Sequence, residues 1–292
     1  MRLSVISDQI SLHEEEAFRA IQKEGYKEVE LHDVFGHSIE ECTADEVKQL
    51  KTLLNKYGLR VSNLASTIFF LCPLYPGDQV SLFNPAFYSI EGDIKRHLQY
   101  LKNACQIAKE LDCPTIRIFP FRWPDNRKGP FGTKKDLDQI CQNISKALEI
   151  AKQEDRILVL ENCPYSHLPK GQMTLEVVRR LKDPHLQLLW DPANSYRAIR
   201  ENVPQIYQGW SLEQELEALY PYIGHIHLKD YHYDVGFPKP FLHKALGDGD
   251  IQYDALLSKL REKGYAQSLS LEPEVDPDLT LLSMRRLKEF FQ

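Results

Sequence analysis

Four side chains suited to gripping a divalent cation stand at the ends of four successive apolar runs. Arg156-Ile157-Leu158-Val159-Leu160 stops on Glu161, and Leu186-Gln187-Leu188-Leu189-Trp190 stops on Asp191. Ile223-Gly224-His225-Ile226 stops on His227, and Ser268-Leu269-Ser270-Leu271 stops on Glu272. Short runs rich in branched residues read as strands buried on both faces, as in a parallel sheet. Residues just past the carboxyl ends of such strands stand at the mouth of the sheet, where α/β folds put their chemistry. Three carboxylates crowded together repel and raise one another's pKa. A divalent cation removes that penalty. Three oxygens and an imidazole nitrogen suit Mn²⁺, Mg²⁺, Co²⁺, Fe²⁺ or Zn²⁺, and ligand type alone does not choose among them. Taken singly, a strand-end Glu is an ordinary rim residue and a lone His is more often structural than a ligand. Four in succession at equivalent places favour a metal site.

The elements that must position these residues alternate from end to end. Before the four runs come strand patterns at Leu3–Ser7, Glu28–Leu31, Leu59–Ala65 and Thr115–Phe119. Between and after the strands lie helix patterns at 14–24, 44–57, 92–111, 134–154, 174–181, 212–219, 252–263 and 279–291. Thr43 or Asp45 is placed to cap the second helix and Gly58 to end it, while Thr174 reads as the cap of the fifth. Strict alternation predicts a parallel sheet with helices outside. Eight units in this length predict a closed (β/α)8 barrel, a TIM barrel, as one domain over residues 1–292.

Two irregular stretches interrupt the alternation. Ser66 to Ser89 carries Phe69, Phe70, Pro73, Pro76, Gly77, Asn84, Pro85, Phe87 and Tyr88. Loops beyond roughly 12–15 residues are uncommon in compact domains. This one reads either as a lid or as a cover on the barrel wall. Pro120 to Thr133 holds Arg122, Trp123, Arg127 and Lys128.

Composition narrows the function. An apolar share of 42% is enough for a sizeable core. The net charge of −6, from 42 acidic and 36 basic residues, disfavours a general nucleic-acid surface. No apolar run approaches the roughly 20 residues of a membrane helix. The amino terminus reads at once as a strand, without the apolar stretch of a signal peptide. Six scattered cysteines with no CxxC spacing fit a reduced, cytoplasmic setting.

Several runs together resemble the sugar phosphate isomerase/epimerase superfamily, the xylose isomerase-like or AP endonuclease 2-like TIM barrels. They are Ser7-Asp8-Gln9-Ile10-Ser11, Val29-Glu30-Leu31, Leu160-Glu161-Asn162 and Trp190-Asp191-Pro192-Ala193-Asn194. His225-Ile226-His227-Leu228-Lys229-Asp230, Leu246-Gly247-Asp248-Gly249-Asp250-Ile251, Gly264-Tyr265 and Ser270-Leu271-Glu272 complete the set. The resemblance covers nearly the whole chain and implies Glu161, Asp191, His227 and Glu272 as metal ligands. In family members that epimerise ketoses, the first and last of these also form the acid/base pair, which makes Glu161 and Glu272 the expected catalytic residues. The sequence departs from those epimerases at three places. Asn194 stands where many carry a His, His167 where they carry a second Glu, and Tyr233 where they carry an Arg that holds substrate.

Around the ligands the residues leave alternatives open. Asn194 is placed either to donate to a substrate oxygen or to fix the turn after Asp191-Pro192. Lys229 is placed to bind a substrate oxygen or phosphate, or to pair with Asp230. His225 shares the face of His227, because strand side chains alternate, and either points into the mouth or is a hydrogen-bonded core histidine. Gly247 and Gly249 resemble a phosphate-cradling turn, but their acidic neighbours favour a tight turn lining the site. Arg117, Arg122, Lys128 and Arg197 are candidate anion binders. Trp123, Phe69, Phe70 and Phe237 would make an apolar wall over a sugar ring or pack a lid, and His167 joins Trp123 among the candidate substrate contacts.

The expectation that follows is a divalent-metal-dependent isomerase or epimerase of a small sugar, sugar phosphate or related hydroxy-ketone, working through an enediolate. A lyase on the same scaffold, dehydrating a keto-inositol or dehydroshikimate, starts from the same proton abstraction. An abasic-site endonuclease would need a three-zinc cluster, which Asn194 and the acidic balance disfavour and which His32, His37 and His97 do not restore. A non-catalytic sugar-binding barrel sits poorly with four intact ligands. The expected partner is a small carbohydrate-like molecule, with neither nucleic acid nor membrane, and with a possible homodimer.

Overall fold

The computed structural model describes residues 1–82, 84, 87–198 and 203–291. Eight parallel strands lie in one sheet: β1 (Arg2–Val5), β2 (Glu28–Leu31), β3 (Arg60–Leu64), β4 (Thr115–Ile118), β5 (Ile157–Glu161), β6 (Leu186–Trp190), β7 (Ile223–Leu228) and β8 (Ser268–Leu271). Neighbours run β1–β8–β7–β6–β5–β4–β3–β2. Between β1 and β2 the seam carries one parallel bridge, from Ile6 to Glu30, which brings the two ends of the sheet together. The expected barrel is the observed fold, a nearly closed cylinder wrapped by helices.

Helices α1 (Glu14–Lys23), α2 (Ala44–Tyr57), α3 (Ile94–Glu110) and α4 (Lys134–Gln153) alternate with the first five strands. Thr43 caps α2 in a capping box with Glu46, and Gly58 ends it at a left-handed φ of 62°. α3 starts two residues later than the pattern predicts, because Asp93 accepts from Arg96 N and caps it. α5 (Gly171–Leu181) starts before Thr174, whose hydroxyl bonds the Gly171 carbonyl inside the helix and caps nothing. α6 (Pro192–Ala198) forms where only a connection was expected. The signal was present: Asp191 Oδ1 accepts from Asn194 N at 2.8 Å, and Pro192 occupies the first turn, where a missing N–H costs nothing. α7 (Leu212–Leu219), α8 (Tyr253–Glu262) and α9 (Pro277–Phe290) complete the shell.

Many strand side chains pair with one another rather than packing as an oily core. Ser4 and Ser62 hydroxyls meet at 2.7 Å, and Ser268 donates to Glu28 at 2.6 Å, all four residues buried. The apolar core lies largely between strands and helices: α3, for example, buries Leu101, Ala104, Cys105, Ile107 and Ala108. Two small antiparallel hairpins decorate the rim, 33–38 and 230–244. The long loop after β3 is pinned by His97, whose Nδ1 accepts from Phe69 N at 3.0 Å. Phe69 itself stacks on Phe121 in the core, and Pro85 lies outside the described residues. No described helix is long and apolar enough to cross a membrane.

Candidate metal centre

β5, β6, β7 and β8 carry Glu161, Asp191, His227 and Glu272 to one point, with a donor atom from each within 4.8 Å of the others. All four are well shielded from solvent, Glu272 least at 13% side-chain exposure. His227 Nδ1 stands 3.4 Å from Glu272 Oε2 and 3.7 Å from Glu161 Oε1. Two ligands each about 2.1 Å from a shared cation at a tetrahedral angle lie roughly 3.4 Å apart, so the spacing suits one small ion.

The four side chains are held from behind. Glu30 on β2 takes His227 Nε2 at 3.0 Å, His225 Nε2 at 3.0 Å and Asn63 Nδ2 at 2.7 Å. A carboxylate only accepts, so Nε2 of His227 carries the hydrogen and Nδ1 is the nitrogen that faces the centre. That Nδ1 is buried and has no hydrogen-bond partner, so it is the atom free to take a cation in place of a proton. Asn162 brackets Asp191, donating to its carbonyl at 2.8 Å and accepting from its N–H at 2.9 Å. Asn194 donates to Glu161 Oε1 at 3.3 Å and to the Asn162 carbonyl at 2.9 Å, so it fixes this turn and also touches a ligand.

Two cations complete the surroundings. Arg117 on β4 is buried and reaches Glu161 at 3.1 Å and Glu272 at 3.5 Å, while donating to the Ala65 and Ser66 carbonyls. Lys229 stands 3.1 Å from Asp191, 2.9 Å from Glu272 and 3.0 Å from Glu274. It does not pair with Asp230. That carboxylate instead accepts the N–H groups of Tyr231, Gly247, Gly249 and Ile251. The glycine turn is therefore an anion nest already filled by the protein's own aspartate. A Cβ on Gly249 would come within 2.2 Å of Asp230 Oδ1, which is why glycine stands there.

The field at this point favours positive charge. Burial opposes a charge on His227, but Glu30, Glu272 and Glu161 outweigh it and carry the imidazole's pKa well above its usual value. Burial likewise pushes Glu30 up, and His227 and His225 reverse that, holding it well below the carboxylate range. Asp191 is pushed up to about 7 by burial and by Glu161 and Glu272, with Lys229 opposing. A divalent ion would relieve that repulsion, so the donor set, its spacing and the unpartnered nitrogen all fit one.

The centre opens into a cavity of about 540 Å³, within the usual range for small-molecule sites. Phe70, Phe87 and Asn84 of the long loop form part of its wall, with Phe119, Tyr165 and Tyr231. Asp8, Asp33 and Glu274 line it together with Glu161 and Glu272, against Arg117, Arg197 and Lys229. Of the candidate substrate contacts, Asn194 and Lys229 line this cavity. His225 does not, being the hydrogen-bonded core histidine on Glu30. Trp123 and His167 also lie off its lining, packed edge to face at 4.9 Å. Tyr233 packs on Phe241 and Phe237 is exposed on the hairpin, neither lining the cavity. Glu30 was missed as a clamp, although a charge inside the apolar run Val29-Glu30-Leu31 was a signal that something must pair with it.

Residues 18–290 match the sequence model of one family, described as the xylose isomerase-like TIM barrel. The chain belongs to that family. No curated protein matches its sequence. Among solved structures, a D-tagatose 3-epimerase-like protein shares this xylose isomerase-like barrel at TM-score 0.71 and 20% identity, over 100% of this chain and 97% of that one. The IolI protein with a bound zinc atom follows at 0.71 and 15%, over 100% and 96%. The probable 3-DHS dehydratase AsbF of petrobactin synthesis, from Bacillus anthracis, follows at 0.70 and 15%, over 99% of each chain. At these identities the likeness is one of fold.

Proposed function

We propose that this xylose isomerase-like barrel is a divalent-cation-dependent isomerase or epimerase of a small hydroxy-ketone. The observation that carries the reading is the convergence of Glu161, Asp191, His227 and Glu272 on one point, with Glu161 and Glu272 lining the cavity and His227 Nδ1 left without a partner. A cation held there would polarise the substrate's carbonyl and hydroxyl oxygens and stabilise an enediolate by several kcal/mol. Mn²⁺, Mg²⁺, Co²⁺, Fe²⁺ and Zn²⁺ all suit this donor set.

The chain's own groups supply the proton traffic. Glu161 and Glu272 both line the cavity and serve as the acid/base pair. Glu272 is held well below the usual carboxylate range, because Lys229 and His227 outweigh the effect of burial. It is therefore ionised, the form that can both hold a cation and accept a proton. Arg117 spans the two carboxylates, so its guanidinium steadies whichever of them is charged. Phe70 and Phe119 keep bulk water from the reacting face. Within this reading the chain is one domain working in the reduced cytoplasm, a setting that suits six cysteines standing free.

Metal-loaded protein incubated in D2O with a panel of hydroxy-ketones tests the proposal. Deuterium should enter the carbon beside the carbonyl, with the mass otherwise retained. Loss of water from the product would identify a lyase, and no exchange with any of the five metals would end the isomerase reading.

A further inference from the structure

The cavity has a second polar corner, away from the four ligands. Asp8 follows β1 and His32 follows β2, and the two meet at 2.9 Å between Asp8 Oδ2 and His32 Nδ1. That bond fixes the imidazole ring and turns Nε2 away from the aspartate. Asp8 Oδ1 and His32 Nε2 are both buried and have no hydrogen-bond partner. His32 is 5% exposed, both residues line the cavity, and the Phe87 ring lies on the imidazole at 4.7 Å. A buried acceptor and a buried ring nitrogen, both on residues of the cavity wall, call for partners from outside the chain. Burial opposes a charge on His32, but Asp8 outweighs it and raises the imidazole's pKa, which favours the ring with both nitrogens protonated. Nε2 then donates to a ligand hydroxyl, while Asp8 Oδ1 accepts from one.

Charge narrows the ligand further. Among the described residues, five carboxylates line the cavity against three fixed cations, so its wall carries no surplus of positive charge for a phosphate. Each of those cations is already engaged: Arg117 by Glu161, Lys229 by Glu272, and Arg197 by the Tyr165 hydroxyl and ring. The one glycine turn resembling a phosphate cradle is filled by Asp230. Asp33 stands beside Asp8 in the same wall, and burial together with Asp8 pushes its carboxyl up to about 6. This corner is already crowded with negative charge.

We propose that Asp8 and His32 form a hydroxyl-binding subsite on the β1–β2 side of the rim, and that it selects a neutral polyhydroxylated ketone over its phosphate ester. The inference rests on the hydroxy-ketone reading above and narrows it. The metal ligands would hold the carbonyl end, and Asp8 with His32 a hydroxyl further along the molecule.

The test compares ligands of different length and charge on the metal-loaded protein. Binding is measured by calorimetry, in parallel with deuterium exchange, for D-fructose, D-psicose, 2-keto-myo-inositol, fructose 6-phosphate and dihydroxyacetone. The best neutral long ketone should bind the wild type at least about tenfold more tightly than fructose 6-phosphate, about the net worth of one hydrogen bond. His32→Gln and Asp8→Asn should each weaken that ketone about tenfold more than they weaken dihydroxyacetone, which is too short to reach the corner. Circular dichroism and bound-metal content check that the variants fold, and the phosphate comparison needs no variant. Phosphate ester bound as tightly as the neutral ketone, equal losses on long and short ketones, or no binding of any neutral long ketone would overturn the subsite. Binding with the predicted discrimination but no exchange would leave the subsite standing and remove the isomerase reading.

Discussion

Replacing Glu30 by Gln should weaken metal binding although Glu30 is not among the four ligands. Its carboxylate takes two imidazole N–H groups and one amide N–H on two oxygens, at 2.7–3.1 Å. A glutamine keeps one acceptor and turns an NH2 toward at least one of those donors. His227 then loses the bond that holds Nδ1 toward Glu161 and Glu272. Loss of such a partner behind a ligating histidine typically lowers metal affinity about 10–100-fold, or roughly 1.4–2.7 kcal/mol. The buried donor left unpaired adds about 1–3 kcal/mol of lost stability, so titrations belong well below the variant's own melting temperature. Cobalt is a convenient probe, followed by its visible absorption and by competition with a chelator. His225→Gln keeps the Glu30–His227 bond and should lose less affinity than E30Q. A folded E30Q protein binding cobalt within twofold of the wild type would refute the claim that Glu30 aims the imidazole.

Three further outcomes are expected. Stripping the metal with a chelator should lower the melting temperature by about 4–5 °C if the ion is present at a hundredfold its Kd, and readdition should restore it. Gly249→Ala should cost roughly 1–3 kcal/mol in thermal unfolding, because the new Cβ meets Asp230 and the Tyr231 carbonyl. Asp136→Asn should cost about 1–3 kcal/mol, since that buried carboxylate takes Thr133 N, Thr133 Oγ1 and Arg127 Nη2. Burial opposes the Asp136 charge, but His167, Thr133 and Arg127 outweigh it and hold the carboxyl well below its usual value. A depressed carboxyl stabilises the fold above the unfolded pKa, near 4, and loses that contribution as pH falls through its lower folded pKa. The gap between wild type and D136N in denaturant titrations should therefore close in acid. A gap that widens in acid would contradict the sign.

The barrel and the convergence of four strand-end residues were legible because each signal is local. Apolar runs ending on Glu161, Asp191, His227 and Glu272 state both the strand and the residue at its tip. What escaped notice depends on distance in the chain. Glu30 meets His225 and His227 across nearly two hundred residues, and only closure of the cylinder puts them together. Arg117 read as a candidate anion binder, yet two carboxylates and two carbonyls claim it. The pairing of Asp8 with His32 arises in the same way, from loops that follow the two strands flanking the seam. Short helix α6 was lost for another reason. Its Asp-Pro start reads equally as a turn, and seven residues give little periodicity to weigh against that.

The seam itself links assembly to chemistry. The bridge that joins β1 to β2 runs through the backbone of Glu30, whose side chain holds His227. One residue thus zips the cylinder shut and sets the angle of its imidazole. A chain caught with its first and second staves parted would still carry all four ligands but would have nothing to steer the nitrogen among them. Tight cation uptake at these four residues would therefore report that the last gap in the wall has sealed.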